Sequence, residues 1–318
     1  MSEITVNQAI GEALAEEMRR DSRVVMFGEG VATKRHDLLS EFGAARVRNT
    51  PLSEAIIAGT AAGAAATGLR PVIDLLFAPF LAYSMDAIVN SAGKLRYMSG
   101  GQFEFPMVVL AMTGGGWTVG AQHNHNLESW FVHAPGLKVV MPSTPEDFKG
   151  LLKAAIRDDN PVVFLIDMVL GYQSGEAPAD ETVTPLGKAV TRREGTDVTL
   201  ISYAKTTYTC LAAAESLAAS GISAEVIDLR SLKPLDEDSI VASVRKTGRA
   251  VIVHEASRMC GVGAEVAAII SEKAFRSLTA PVIRVTGPDA PAPSSYALEQ
   301  AFIPQAAGIV AAVKGLFH

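Results

Sequence analysis

Gly136-Leu137-Lys138-Val139-Val140-Met141-Pro142-Ser143-Thr144-Pro145-Glu146-Asp147 reads in one pass as a buried strand followed by a capped helix. Leu137 to Met141 is a short apolar run. Pro142 and Thr144 then precede a helical pattern that continues to about Arg157, and Val162 to Ile166 is a second apolar run. Strand, helix and strand in that order form the unit of a parallel sheet. The same rhythm extends outward. Val6 to Arg20 puts Ile10, Leu14 and Met18 at helical spacing, and Val24 to Phe27 is a short strand that ends at Gly28. Ser53 to Thr67 reads as a helix with Ser53 as its N-cap, Val72 to Leu76 as a strand, and Met85 to Leu95 as a helix. Met107 to Met112 is a strand that opens into Thr113-Gly114-Gly115-Gly116. Apolar strands alternating with helices predict a parallel sheet covered on both faces.

Between Gly175 and Pro185 the rhythm stops, and Gly, Pro and acidic residues cluster as in a linker. A second α/β unit begins near Val198. Its strands are Val198–Tyr203, Ala224–Ile227, Ala250–His254 and Val282–Val285, and its helices are Thr207–Ser220, Asp236–Val244 and Val262–Ala274. The expected division is therefore two α/β domains, 1–183 and 184–318, within a chain of 318 residues. No short-period repeat is visible.

Composition narrows the class. The net charge is −6, from 28 basic and 34 acidic side chains, with no Lys/Arg run, so nucleic acid is not an expected partner. A hydrophobic fraction of 48% is high for a soluble protein and points to extra buried surface such as a subunit interface. The longest small-and-apolar stretch, Ala55 to Leu69, is shorter than a membrane span and rich in Gly, Ala and Thr. Met1 to Glu17 lacks a basic n-region and carries several acids, so no signal peptide is expected. Cys210 and Cys260 could form at most one disulfide, and a reduced cytoplasmic setting is the expectation. The sequence has no phosphate-binding GxxxxGK[ST] and no HExxH. Gly28-Glu29-Gly30 follows a strand but lacks the third glycine of a dinucleotide fingerprint, and Gly261-Val262-Gly263 is equally partial.

Two segments stand out chemically. Asn49-Thr50-Pro51-Leu52-Ser53-Glu54 leads into a helix of small residues, Ala58-Gly59 and Ala62-Gly63. Dipole complementarity would by itself place a carboxylate in such a first turn, and the paired glycines would by themselves let another helix approach closely. Gly120-Ala121-Gln122-His123-Asn124-His125-Asn126 puts two histidines and two asparagines behind a glycine-rich loop. A polar loop satisfying its own backbone would account for it structurally.

Taken in order, Thr-Pro-Leu-Ser-Glu, Gly-Leu-Arg-Pro, Tyr-Met-Ser-Gly-Gly, Gln-His and Pro-Gly-Leu-Lys-Val-Val resemble one family along nearly the whole chain. It is the β subunits of thiamine-diphosphate-dependent pyruvate, acetoin and branched-chain 2-oxo acid dehydrogenases, within the transketolase-like superfamily. The match continues through Ala154-Ala155-Ile156-Arg157-Asp158-Asp159-Asn160-Pro161-Val162-Val163, Glu225-Val226-Ile227-Asp228-Leu229-Arg230 and Lys233-Pro234-Leu235-Asp236.

The resemblance implies a pyrimidine-binding first domain and a transketolase C-terminal-like second domain. It implies that Glu54 is the carboxylic acid that bonds ring N1′ of the cofactor, its proton kept by burial at a subunit contact. It implies that Phe80 packs on the pyrimidine, where plain core packing is the structural alternative, that Gln122 lies on the cofactor side, and that His123 is the active-site histidine. The family's Gly-Asp-Gly segment with a downstream Asn, which holds Mg²⁺ and diphosphate, has no counterpart here, so the resemblance assigns that clamp to an α subunit in an α₂β₂ heterotetramer. A lipoyl-bearing dihydrolipoamide acyltransferase would take the acyl unit. Potassium would be held by Met107, Ala155, Ile156, Asp158 and Asn160, whereas Asn160 before Pro161 could equally be a helix C-cap.

The sequence departs from the family in three places. Gln-His-Asn-His stands where Gln-His-Ser-Gln is usual, which leaves the role of His125 open. Glu29 to Glu41 is shorter than usual. Ile166-Asp167-Met168 replaces a Glu followed by a basic pair. Two rivals remain at this point, the C-terminal half of a split transketolase-like enzyme and a non-catalytic assembly subunit. The first should show basic residues for a sugar phosphate near His123, and none is clearly placed there. The second is disfavoured by the presence of Glu54 and His123 together.

Overall fold

The computed structural model describes residues 3–178 and 182–317. The chain separates into two compact units, each built from more than one stretch. The first is Met1–Thr113, Trp130–Ile166 and Leu170–Leu186; the second is Gly114–Ser129, Asp167–Val169 and Gly187–His318. The glycine loop after Thr113 and a short piece around Met168 thus belong to the second unit, which a single cut at 183/184 does not describe.

In the first unit the strands run in the order Lys138–Val140, Val162–Asp167, Val108–Thr113, Arg70–Phe77, Val24–Glu29 and Val47–Thr50. Val24–Glu29 is parallel to both its neighbours, with Gly28 opposite Asp74 and Glu29 opposite Thr50. Gly28 has φ +148°, and a Cβ there would lie 2.2 Å from the Asp74 carbonyl oxygen, so only glycine permits this approach. Thr5 and Gln8 form a capping box that starts the Val6–Arg20 helix. The Thr144 hydroxyl accepts from Asp147 N to start Pro145–Arg157. These two helices pack together. Their contact buries Lys149, whose ammonium is satisfied by Glu12 at 2.9 Å and Glu16 at 2.8 Å, while Arg157 pairs with buried Glu17 at 2.6 Å. Without those partners a buried ammonium would cost several kcal/mol (roughly).

Three local expectations are corrected. Ser53 precedes the Glu54–Ala66 helix but makes no side-chain cap bond. The helix expected over Met85–Leu95 is a π-helical stretch, Asp86–Ala92, continued by an α-helix, Gly93–Met98. The expected linker begins with a strand, Ser174–Glu176, paired antiparallel to Glu3–Thr5; its residues 179–181 lie outside the described residues.

The second unit holds a 5-stranded sheet in the order Ile283–Gly287, Ala250–Ser257, Val198–Ser202, Ala224–Asp228 and Val190–Arg193. The last strand is antiparallel and the other pairings are parallel. Its core joins Leu200, Val226 and Val251 to Cys210 and Leu217 of the Lys205–Ala218 helix, and to Ile309 and Val313 of the C-terminal Ala306–Lys314 helix. Each fully buried Val, Leu or Ile contributes about 1.5–3 kcal/mol. Both cysteines are free, Cys210 buried and Cys260 exposed. Among the described residues no helix is long and apolar enough to cross a membrane.

Candidate active site

In an open parallel sheet, ligands collect beyond the carboxyl ends of the strands. In the first unit that edge carries acids. Val24–Glu29 ends in Glu29, and Val47–Thr50, its neighbour, leads directly to Glu54 at the start of the Glu54–Ala66 helix. Glu54 is half-buried. Glu29 is buried at 6% exposure, and its Oε1 has no hydrogen-bond partner. Burial raises the Glu29 pKa above the usual carboxylate value, the Glu54 and Asp74 carboxylates add to the rise, and Lys34 opposes it. Lys34 itself pairs with Asp74 at 2.7 Å. Phe80 lies on the 3-10 turn Ala78–Ser84, which packs against the Glu54–Ala66 helix. It is half-buried and meets Phe77 edge-to-face at 6.3 Å. The first unit thus brings together Glu54, the unanticipated Glu29 and an aromatic turn. An orphaned buried carboxyl oxygen with a second carboxyl near it fits the polar edge of an aminopyrimidine, and Phe80 lies on a turn packed against the helix that Glu54 starts. Glu29 lay in Gly28-Glu29-Gly30, a segment with meaning only as an incomplete nucleotide motif until its burial is known.

Gln122 and His123 belong to the second unit, on the loop Gly114–Ser129. His123 N and Asn124 N both donate to Gly120 O, at 3.1 and 3.0 Å, so the histidine sits in a tight turn. His123 is half-buried, whereas Gln122 and His125 are exposed. Buried groups far away in sequence tie the start of the loop down. Gly115 N donates to Glu255 Oε1 at 2.5 Å, and Lys205 Nζ donates to Gly115 O at 2.6 Å. Lys205 also pairs with Glu255 and lies 3.9 Å from Asp167. Burial pushes the Asp167 carboxyl up to about 7; Lys205 opposes this and the Glu255 charge adds to it. At the other end of the loop the Tyr203 hydroxyl donates to buried Glu128 at 2.7 Å, and burial raises the Glu128 pKa.

The turn proposed for potassium lies wholly in the first unit. Arg70 Nη1 donates to the carbonyl oxygens of Ile156, at 3.0 Å, and Asp158, at 3.1 Å. Met107 O accepts from Val162 N at 2.9 Å, and Ala155 O from Asp158 N at 3.3 Å. The Asp158 carboxylate pairs with Lys138, and Asn160 Oδ1 accepts from Arg96 at 2.9 Å. The Ile156 and Asp158 oxygens therefore converge on one positive group, the guanidinium of Arg70, and each keeps a second lone pair. Among the described residues, no group of three or more His, Cys, Asp or Glu side chains could hold a metal ion.

The chain matches two family patterns, "Transketolase, pyrimidine binding domain" over residues 2–168 and "Transketolase, C-terminal domain" over residues 187–309. It is 45% identical to the pyruvate dehydrogenase E1 component subunit beta of Rhizobium meliloti (strain 1021), over 100% of this chain and 71% of that protein. It is 43% identical to the acetoin:2,6-dichlorophenolindophenol oxidoreductase subunit beta of Bacillus subtilis (strain 168), over 95% of this chain and 93% of the relative. It is also 43% identical to the 2-oxoisovalerate dehydrogenase subunit beta of the same organism, over 99% of each. Among solved structures, a split-gene transketolase described as an inactive beta4 tetramer superposes with a TM-score of 0.82 at 27% identity, covering 98% of both chains. With two transketolase-type patterns over both halves and relatives of one kind along its whole length, the chain belongs to the β subunits of the thiamine-diphosphate-dependent 2-oxo acid and acetoin dehydrogenases.

Proposed function

We propose that this chain provides the pyrimidine side of a thiamine diphosphate site completed by an α subunit in an α₂β₂ enzyme. The assembled enzyme decarboxylates a small 2-oxo acid or cleaves acetoin, and passes the acyl unit to a lipoyl group on an acyltransferase partner. The observation that carries this reading is the pair of carboxyls at one sheet edge, half-buried Glu54 and buried Glu29 with its orphaned oxygen. When bound, the cofactor supplies a nucleophilic carbon and an electron sink. Glu54 would hydrogen-bond ring N1′ of the pyrimidine, the contact through which a carboxyl would promote the cofactor's activation. Burial raises the Glu29 pKa above the usual carboxylate value, and Glu29 gives that edge a second carboxyl facing the pyrimidine. Phe80 gives the pyrimidine a flat apolar contact, and Gln122 hydrogen-bonds on the cofactor side. His123 delivers or removes a proton as the acyl unit leaves for the lipoyl sulfur.

Mg²⁺ and diphosphate are assigned to the α subunit, because the sequence has no counterpart of the Gly-Asp-Gly segment with a downstream Asn that holds them in the family. Leu52 and Ile56 flank Glu54 and are 77% and 69% exposed, an apolar surround that suits a partner subunit closing over the site. Potassium is assigned to main-chain oxygens of Met107, Ala155, Ile156, Asp158 and Asn160, beside Arg70. A cytoplasmic setting fits two free cysteines.

The test is hydrogen–deuterium exchange at C2 of the cofactor in the assembled α₂β₂ enzyme. Glu54→Gln is expected to slow that exchange by about 10²–10⁴-fold with assembly intact. Exchange at the wild-type rate would reduce Glu54 to a helix-start carboxylate.

A further inference from the structure

The short helix Tyr296–Phe302 carries one side chain that its own packing does not explain. Glu299 is fully buried, at 0% exposure. Its carboxylate accepts from the Thr118 backbone N–H, at 3.1 and 3.2 Å to the two oxygens, and from the Asn124 side-chain amide at 2.8 Å. Asn124 is itself buried at 1% exposure. Thr118 and Asn124 stand on either side of the turn that carries Gln122 and His123, so one carboxylate ties both ends of that turn. Thr118 adopts φ +55°, an uncommon and costly conformation for a non-glycine residue, and its N–H is the one that Glu299 accepts. The fit is close, because a Cβ at Gly115 would lie 3.1 Å from Glu299 Oε1. A buried carboxylate is costly unless each oxygen is bonded, and here the bonds go to this loop.

We propose that Glu299 is a positioning residue for acyl transfer. It fixes the Thr118–Asn124 turn so that the His123 imidazole is held at the reacting group. Glu299 touches no reacting atom in this role and acts through the loop. The inference rests on the reading of His123 given above. Asn124 stands where the family pattern has Ser, and its side-chain amide supplies the bond to Glu299.

The experiment uses the assembled α₂β₂ enzyme with Glu299→Ala, Glu299→Gln, Asn124→Ala and His123→Ala. Amide hydrogen exchange is read on peptides covering residues 116–126. The kcat and KM of transfer to a lipoyl domain are measured beside it. Glu299→Ala is expected to lose protection in that segment, and to lose about 10²-fold in kcat with KM for the 2-oxo acid unchanged. Glu299→Gln keeps an acceptor oxygen and is expected to recover most of both. Asn124→Ala, which removes one of the bonds, falls between. If Glu299→Ala does not assemble, Asn124→Ala carries the same comparison. Unchanged protection in Glu299→Ala and Asn124→Ala, or lost protection with wild-type kcat while His123→Ala is impaired, overturns the proposal. Wild-type transfer by His123→Ala overturns the reading of His123 beneath it, and the exchange data keep the two failures apart.

Discussion

Asp167, Glu255 and Lys205 set two carboxyls against one ammonium in the second unit, and burial raises Asp167 to about 7. An unfolded aspartate titrates near about 4. Between those values the folded chain binds more protons than the unfolded one, so this group's stabilising contribution is complete at low pH and is lost as pH rises from about 4 to about 7. Asp167→Asn keeps the acceptor for Val169 N, 3.2 Å away, and removes the charge. The variant's melting temperature should therefore gain on wild type between pH 5 and pH 8 (about one unit inside and one outside that window); parallel pH profiles would show that Asp167 does not titrate there. On the neighbouring loop, His123→Ala should cost more in acyl transfer than His125→Ala, with losses on the order of 10²–10⁴-fold for the first. His123 is half-buried in its turn and His125 is exposed. A larger loss for His125→Ala, with lipoamide and with an artificial acceptor alike, would move the acid along the loop. Gln122, His123 and Glu54 stand out as candidates in the sequence because they sit in short ordered motifs. Glu299 does not, because it meets Asn124 across 175 residues of chain and no local pattern reports such a partner.

At the scale of elements, the sequence was most readable where local chemistry and packing agree. Thr144 caps the helix it was expected to precede, and Leu137–Met141 contains the strand Lys138–Val140. Ser53 stands in an equally good cap position yet makes no cap bond, with backbone angles of −169° and 69°. The start of that helix is set by the sheet edge it leaves. Gly175 was read as linker, but Ser174–Glu176 finds a partner strand at the other end of the chain, Glu3–Thr5. The strand Val190–Arg193 and the helices Tyr296–Phe302 and Ala306–Lys314 also went unread, since each is short and gains its stability from tertiary contacts. The turn after Pro145–Arg157 gives this scale its own test. If potassium binds among Met107, Ala155, Ile156, Asp158 and Asn160, KCl should raise the melting temperature over choline chloride at equal ionic strength, by about 2–4 °C for each kcal/mol of binding. Equal melting temperatures in both salts would leave the turn to its side-chain cations, Arg70, Lys138 and Arg96.

For the whole molecule, the apolar composition, 48% hydrophobic, anticipated surface that one chain cannot cover. Tyr97 and Met98 remain 91% and 71% exposed in the first unit, as Leu52 and Ile56 do beside Glu54. A Cβ added at Gly59 or Gly63 would meet nothing within 4 Å, so the small-residue face of the Glu54 helix is open in the lone chain. Two carboxyls, Glu29 and Glu54, stand close enough at the sheet edge of the first unit for one to raise the pKa of the other. In the proposed enzyme this chain holds only half of a cofactor site. Calorimetric titration of thiamine diphosphate with Mg²⁺, into the lone chain and into an equimolar mixture with its α subunit, separates half a site from a whole one. Tight binding by the mixture and none in the micromolar range by the lone chain are expected; Mg²⁺-dependent micromolar binding by the lone chain would show that the chain completes the site by itself.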